Sequence, residues 1–112
     1  MKYTVSLKGN RSFHRLYNKG KCVPLGAVVV YARRNGGREN RLGLTVGTKV
    51  GKAVVRNKVR RRLREVYRLH ESELKTGWDI VIVARSRARE VPYPVLESEF
   101  LRAAGKLGLR KA

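Results

Sequence analysis

Residues Lys49 to Arg68, KVGKAVVRNKVRRRLREVYR, hold nine Lys or Arg and one acid, Glu65. The guanidinium of arginine is a planar fork that grips phosphate oxygens two at a time. The chemistry on offer is therefore recognition of a phosphodiester backbone. On a helical wheel Arg56, Arg60 and Arg64 form one row, and Asn57, Arg61 and Arg68 lie beside it. Lys58 and Arg62 carry the charge round toward an apolar edge, where Val55, Val59, Leu63, Val66 and His70 recur at spacings of three and four. That spacing is helical and predicts a basic helix over about 52–73, packed on a core. Helix pairs at i,i+4 are stabilising when the charges are opposite, and Glu65 stands nearly alone, so a merely solvated face would repel itself. Rigid, concentrated positive charge suits a structured RNA.

A second constellation is aromatic. Phe13 and Tyr17 form an i,i+4 pair on a first helix, Tyr31 lies on a central strand, and Lys8, Arg11, Arg15 and Lys19 surround the pair. Phe13 taken alone reads better as core. Bases of single-stranded RNA, however, stack on such rings for roughly 1–3 kcal/mol each, so a sequence-tolerant strand groove is expected. Nucleophilic or acid–base chemistry has less support. His14 and His70 are the two histidines, and a pair can act as base and acid. Their spacing does not bring them together. The eight acids are scattered and form no obvious two-metal cluster. Cys22 reads as a small, partly buried apolar residue.

The totals agree with a polyanion partner. The 112 residues suffice for one domain with a modest core, and 42% are hydrophobic, enough to fold. The formal net charge is +19, from 27 basic and 8 acidic residues. That charge opposes compaction of the free protein and attracts nucleic acid, acidic membrane or acidic protein; anions are expected to assist folding. No apolar run approaches the roughly 18 residues of a membrane span. The first residues lack the apolar core of a secretory signal, and a lone cysteine forms no internal disulfide. These features favour the cytosol. No phosphate-binding GxxxxGK[ST] loop, HExxH or zinc-spaced Cys/His cluster is present.

The elements that must position these residues follow in order. Asn10 or Ser12 caps a first helix that ends at Gly20. Cys22, Val23 and Leu25 form a short extended piece. Ala27 to Arg33 is a buried strand, Asn35-Gly36-Gly37 a turn, and Arg41 to Val46 the return strand of a hairpin. Gly47 to Gly51 links to the basic helix, which Lys75-Thr76-Gly77 breaks. Trp78 to Ala84 is the most apolar strand, and Val95 to Leu107 a last helix with Val95, Leu96, Phe100, Leu101 and Ala104 on one side. The expected fold is a single RNA-binding domain over 1–112. It is a two-layer α/β sandwich, a mixed four-stranded sheet with three helices in the order α-β-β-β-α-β-α. Strands 41–46 and 78–84 pair in parallel, with a right-handed crossover as the general rule.

The segment Lys49 to Glu65 resembles the signature, the RNR region, of the protein subunit of bacterial ribonuclease P. SFHRLYNKGK resembles that family's first helix, RLGLTVGTKVGKAV the strand leading into the signature helix, and WDIVIVAR the strand after it. The resemblance covers nearly the whole chain in the right order. It implies a four-stranded α/β sandwich with a left-handed crossover around the signature helix. It implies an accessory subunit that supplies no catalytic side chain. The catalytic RNA, with Mg2+, hydrolyses the bond joining the 5′ leader to precursor tRNA, in the cytoplasm, with one protein per RNA. Carried over by position, the RNA-binding residues are Lys52, Arg56, Asn57, Lys58, Arg60, Arg61, Arg64 and Arg68. The leader-cleft residues are Phe13, Tyr17, Tyr31, Thr48 and Lys49. Tyr17 stands where Phe is common, and its hydroxyl adds a hydrogen-bonding group.

Other classes remain as alternatives. A ribosomal protein is one, although the chain ends MKYTVSLKG and GKLGLRKA are short for basic extensions. A nuclease using His14 and His70 is another. A DNA-binding module is disfavoured, because no second helix at turn spacing points to a helix-turn-helix.

Overall fold

The computed structural model describes residues 1–111. In chain order the elements are β1 (Thr4–Ser6), α1 (Asn10–Lys19), β2 (Lys21–Pro24), β3 (Val28–Arg34), β4 (Asn40–Val46), α2 (Ala53–His70), β5 (Trp78–Ala84) and α3 (Tyr93–Lys106). Short 3-10 turns at Thr48–Val50, Glu71–Glu73 and Ser86–Arg89 join them. The strands make one mixed sheet in the order β1-β4-β5-β3-β2. The α/β class and the three helices match the sequence expectation.

Four strands become five, because β1 pairs in parallel with β4 over Thr4–Ser6. The expected hairpin of β3 with β4 does not form. β5 lies between them, antiparallel to β3 and parallel to β4. The apolar run of Trp78 to Ala84 buries both faces and takes the central slot. The hairpin that does form is β2 with β3, and Tyr31 is consequently one strand off centre. Pro24 sits on the outer strand β2, where a missing N–H costs no ladder bond.

Helix ends differ in detail. α1 opens from Gly9, whose carbonyl accepts the Ser12 and Phe13 N–H groups, without a side-chain cap from Asn10 or Ser12. Gly20 does end it, but with φ −78. A Cβ there would lie 2.6 Å from the Leu16 carbonyl oxygen, so the reason is space. α2 stops at His70, and Glu71–Glu73 continue as a 3-10 turn; Lys52 precedes the helix as its N-cap.

α2 and α3 cover one face of the sheet. Val59, Leu63 and Val66 of α2 and Leu96, Phe100 and Ala104 of α3 pack with Val28, Val30, Ile80 and Ile82, all buried. Tyr67, which the sequence pattern did not single out, is among the largest fully buried side chains and meets Phe100 edge-on at 5.9 Å. Carboxylates anchor this layer. Glu99 accepts the Ala27 and Val28 N–H groups. His70 bridges Glu73 at 2.5 Å and Glu97 at 2.7 Å. The Glu97 hydrogen bond, then the Glu73 contacts, raise its pKa against the opposing effect of burial. With an acceptor on each ring nitrogen, the imidazolium is the form that satisfies both.

Candidate nucleic-acid interface

The other face of the sheet is half covered. Register places Tyr31, Val81 and Gly43 in one row and Val29, Val83 and Thr45 in the next. α1 lies over the first row, where Leu7, Leu16 and Val81 are buried and Phe13, Tyr17, Tyr31 and Val83 are partly buried. Phe13 rests directly on Gly43: a Cβ at 43 would sit 2.6 Å from the Phe13 ring and 3.2 Å from Val81. Tyr17 meets Tyr31 edge-on at 4.9 Å, and its hydroxyl bonds the Thr45 hydroxyl at 2.9 Å. The three aromatics are therefore one cluster with exposed ring surface, neither free platforms nor sealed core. Cys22, opposite Tyr31 in register, is exposed, contrary to the expectation of partial burial, because β2 is an edge strand. Thr48 and Lys49 lie exposed on the turn after β4. Ser86 and Arg89, from the turn after β5, donate to the Lys49 and Val50 carbonyls at 3.3 Å each and brace that linker. These supports were not legible in the sequence.

α2 presents its cations away from the core. Asn57, Arg60, Arg61 and Arg64 line one recess with the exposed Val54. Arg60 donates to the Asn57 side-chain oxygen at 3.0 Å, which holds both groups in place. Arg56 is half-buried, and its Nε is buried without a partner. Lys52 and Lys58 are exposed. Arg68 is tied to Glu65 by two bonds of 2.5 and 3.0 Å, so it is less available than its neighbours. The bond from Arg68 holds the Glu65 carboxyl below its ordinary range. Arg62 turns away to the Val91 carbonyl and serves the fold.

The cleft and the basic helix, read from sequence as separate surfaces, share an edge. Arg60 and Arg64 line a groove with Phe13, Gly43, Leu44 and residues of β1. β1 pairs only as far as Leu42, so β4 beyond it has a bare edge there. The groove crosses that edge from the helix to the first aromatic ring. A three-residue strand thus leaves the passage open.

Most of the acids are spent elsewhere. Asp79 receives two bonds from Arg41, at 2.7 and 2.8 Å. Glu71 receives the Lys2 and Tyr3 N–H groups, and Glu73 and Glu97 hold His70. His14 is exposed on α1, and His70 is committed to carboxylates. The pair offers no general acid and base at one site. Among the described residues, no three His, Cys, Asp or Glu side chains converge as metal ligands.

The chain matches the Ribonuclease P family profile over residues 1–108. The chain belongs to the ribonuclease P protein family. It is 40% identical to the ribonuclease P protein component of Natranaerobius thermophilus over 106 residues, 95% of this chain and 92% of that one. It is 38% identical to that of Alkaliphilus oremlandii over 109 residues, 97% and 96% of the two chains. The Staphylococcus aureus RNase P protein superposes with a TM-score of 0.85 at 31% identity, covering 97% of this chain and 98% of that one. The RNase P protein from Thermotoga maritima gives 0.79 at 32%, covering 88% and 93%. As a ribonuclease P protein, it is the accessory subunit of a ribonucleoprotein endoribonuclease that processes tRNA, and the ribonuclease P RNA is its partner. No helix among the described residues is long and apolar enough to cross a membrane.

Proposed function

We propose that this subunit binds the ribonuclease P RNA through Lys52, Arg56, Asn57, Lys58, Arg60, Arg61, Arg64 and Arg68, and holds the 5′ leader of precursor tRNA on Phe13, Tyr17, Tyr31, Thr48 and Lys49. The observation that carries this reading is the groove joining Arg60 and Arg64 to Phe13 across the bare edge of β4. Positive charge on α2 neutralises phosphates of one RNA and lets a second approach with less repulsion. The half-exposed rings then stack successive bases with little preference for sequence. One protein serves one RNA, in the cytoplasm.

Magnesium belongs to the RNA in this reading. Asp79, Glu71, Glu73, Glu97 and Glu99 are each engaged by an arginine, a histidine or backbone N–H groups, so these carboxylates are not free to hold a resident ion. What the chain's own residues do is bind, orient and neutralise.

The test is cleavage of a precursor tRNA in magnesium at moderate salt by protein alone, by a bacterial ribonuclease P RNA alone, and by the two mixed. Cleavage at the leader junction that is strongly enhanced in the mixture supports the reading. Cleavage by the protein alone overturns it and redirects attention to His14 and His70. RNA binding with no effect on cleavage favours a structural RNA-binding role instead.

A further inference from the structure

The large apolar side chains exposed among the described residues are Met1, Tyr3, Val5, Val54 and Leu69. The first three lie on β1 or just before it, and the other two on α2. None is on α3. An apolar surface confined to α2, which carries the arginines, and to the β1 segment that shares recesses with them is what a nucleic-acid interface needs, because base faces as well as phosphates must be covered.

The strand that carries them is held with unusual care. Glu71, only 6% exposed, accepts the Lys2 N–H at 2.9 Å and the Tyr3 N–H at 3.0 Å. Asn40 donates its N–H to the Tyr3 carbonyl at 2.9 Å. Thr4 bonds the buried Tyr67 hydroxyl at 2.8 Å, and Asn40 reaches the same hydroxyl at 3.2 Å. Tyr3 therefore has a fixed backbone, yet its residue remains 45% exposed. It lines a recess with Lys2 and Arg68, while Met1 and Val5 line the groove of Arg60 and Arg64. A tyrosine fixed in this way loses little entropy when a planar partner covers it.

We propose that Tyr3 is a second stacking site, which takes an unpaired nucleotide of the partner RNA with its phosphates toward Lys2, beside the Glu65-paired Arg68. Glu71 acts as the positioning residue that holds the strand for it. This rests on the reading of α2 as an RNA-binding face, and lies outside the aromatic cluster of the cleft.

The test is titration of a bacterial ribonuclease P RNA transcript with wild type, Tyr3→Ala, Tyr3→Phe and Arg60→Ala proteins at several salt concentrations, with thermal melts of each protein. Tyr3→Ala is expected to weaken binding roughly tenfold, and Tyr3→Phe to stay within about twofold of wild type. The salt slope of Tyr3→Ala should parallel that of wild type, since a ring displaces no counterions. Equal affinity of Tyr3→Ala and wild type overturns the inference, as does a Tyr3→Phe protein as weak as Tyr3→Ala. If wild type does not bind the RNA, or Arg60→Ala binds as wild type does, the RNA-binding reading of α2 fails first and takes this inference with it.

Discussion

The two faces of the sheet solve opposite problems. On the face under α2 and α3, residues such as Leu63, Phe100, Ile80 and Ile82 are wholly buried, and Glu99 and His70 tie the helices down. On the face under α1, Leu7, Leu16 and Val81 are buried, while Phe13, Tyr17 and Tyr31 keep surface in contact with water. The first face supplies the free energy of folding. The second gives up part of that gain and leaves rings for a ligand to cover. A domain of this size, with a charge of +19, can leave one face half open because the other is closed so completely.

The largest expected effect breaks the closed face. Leu63→Ala should cost about 2–5 kcal/mol of stability, measured by denaturant unfolding, through lost burial and the cavity left behind. At concentrations where the variant is folded, its RNA affinity should equal that of wild type. A comparable loss of affinity in fully folded protein would mean that the two faces are not independent.

Next in size is the charged row. Replacing Arg56, Arg60 and Arg64 by Ala should weaken binding of ribonuclease P RNA by roughly 100-fold or more. The slope of log affinity against log salt should flatten by about 2–3 units. Stability should hold or rise, because mutual repulsion is relieved. An unchanged slope would mean that these arginines do not meet phosphate.

Gly43→Ala sharpens the comparison at one methyl group. The added carbon would collide with the Phe13 ring, so the ring must shift from its seat. Binding of precursor tRNA by the holoenzyme should fall several-fold, roughly three to ten, with RNA assembly unaffected. Normal precursor affinity would show that the seat of Phe13 is unimportant.

The smallest effect is on pH dependence. His70 gains Glu97 and Glu73 as partners, and its folded pKa is raised. Its contribution is complete below the free imidazole value of about 6.5 and is lost as pH rises through the folded value. Melting temperatures of wild type and His70→Gln should differ most near pH 6 and converge at alkaline pH. A gap independent of pH would show that the charge of His70 is irrelevant to the link between α2 and α3.

How much of this was legible in the sequence depends on the range over which each feature is encoded. α2 and β5 carry their own patterns, periodic valines and leucines in one and an unbroken apolar run in the other, and both were readable. The mispaired hairpin shows the limit. Asn35-Gly36-Gly37 does turn the chain, but the Asn35 N–H bonds the Gly77 carbonyl at 2.9 Å, and its side chain donates to Asp79. The turn serves the start of β5, more than forty positions later, and no local signal reports that. β1 was missed for a like reason: its three residues, TVS, pair with β4 more than thirty positions away, and the Lys2 and Tyr3 N–H groups just before them are held by Glu71, nearly seventy positions away. The arginines and aromatics of the interface were legible by type and spacing. Their meeting across the bare edge of β4 was not, since it depends on where β1 ends.

In the proposed function the half-open face grips the leader while α2 grips the RNA subunit. Its most direct test is the affinity of reconstituted holoenzyme for precursor tRNA and for mature tRNA, with wild type protein and with Phe13→Ala/Tyr17→Ala. A loss of roughly tenfold or more is expected for the precursor, with mature tRNA affinity unchanged. An equal loss for both tRNAs, or none for either, would contradict it.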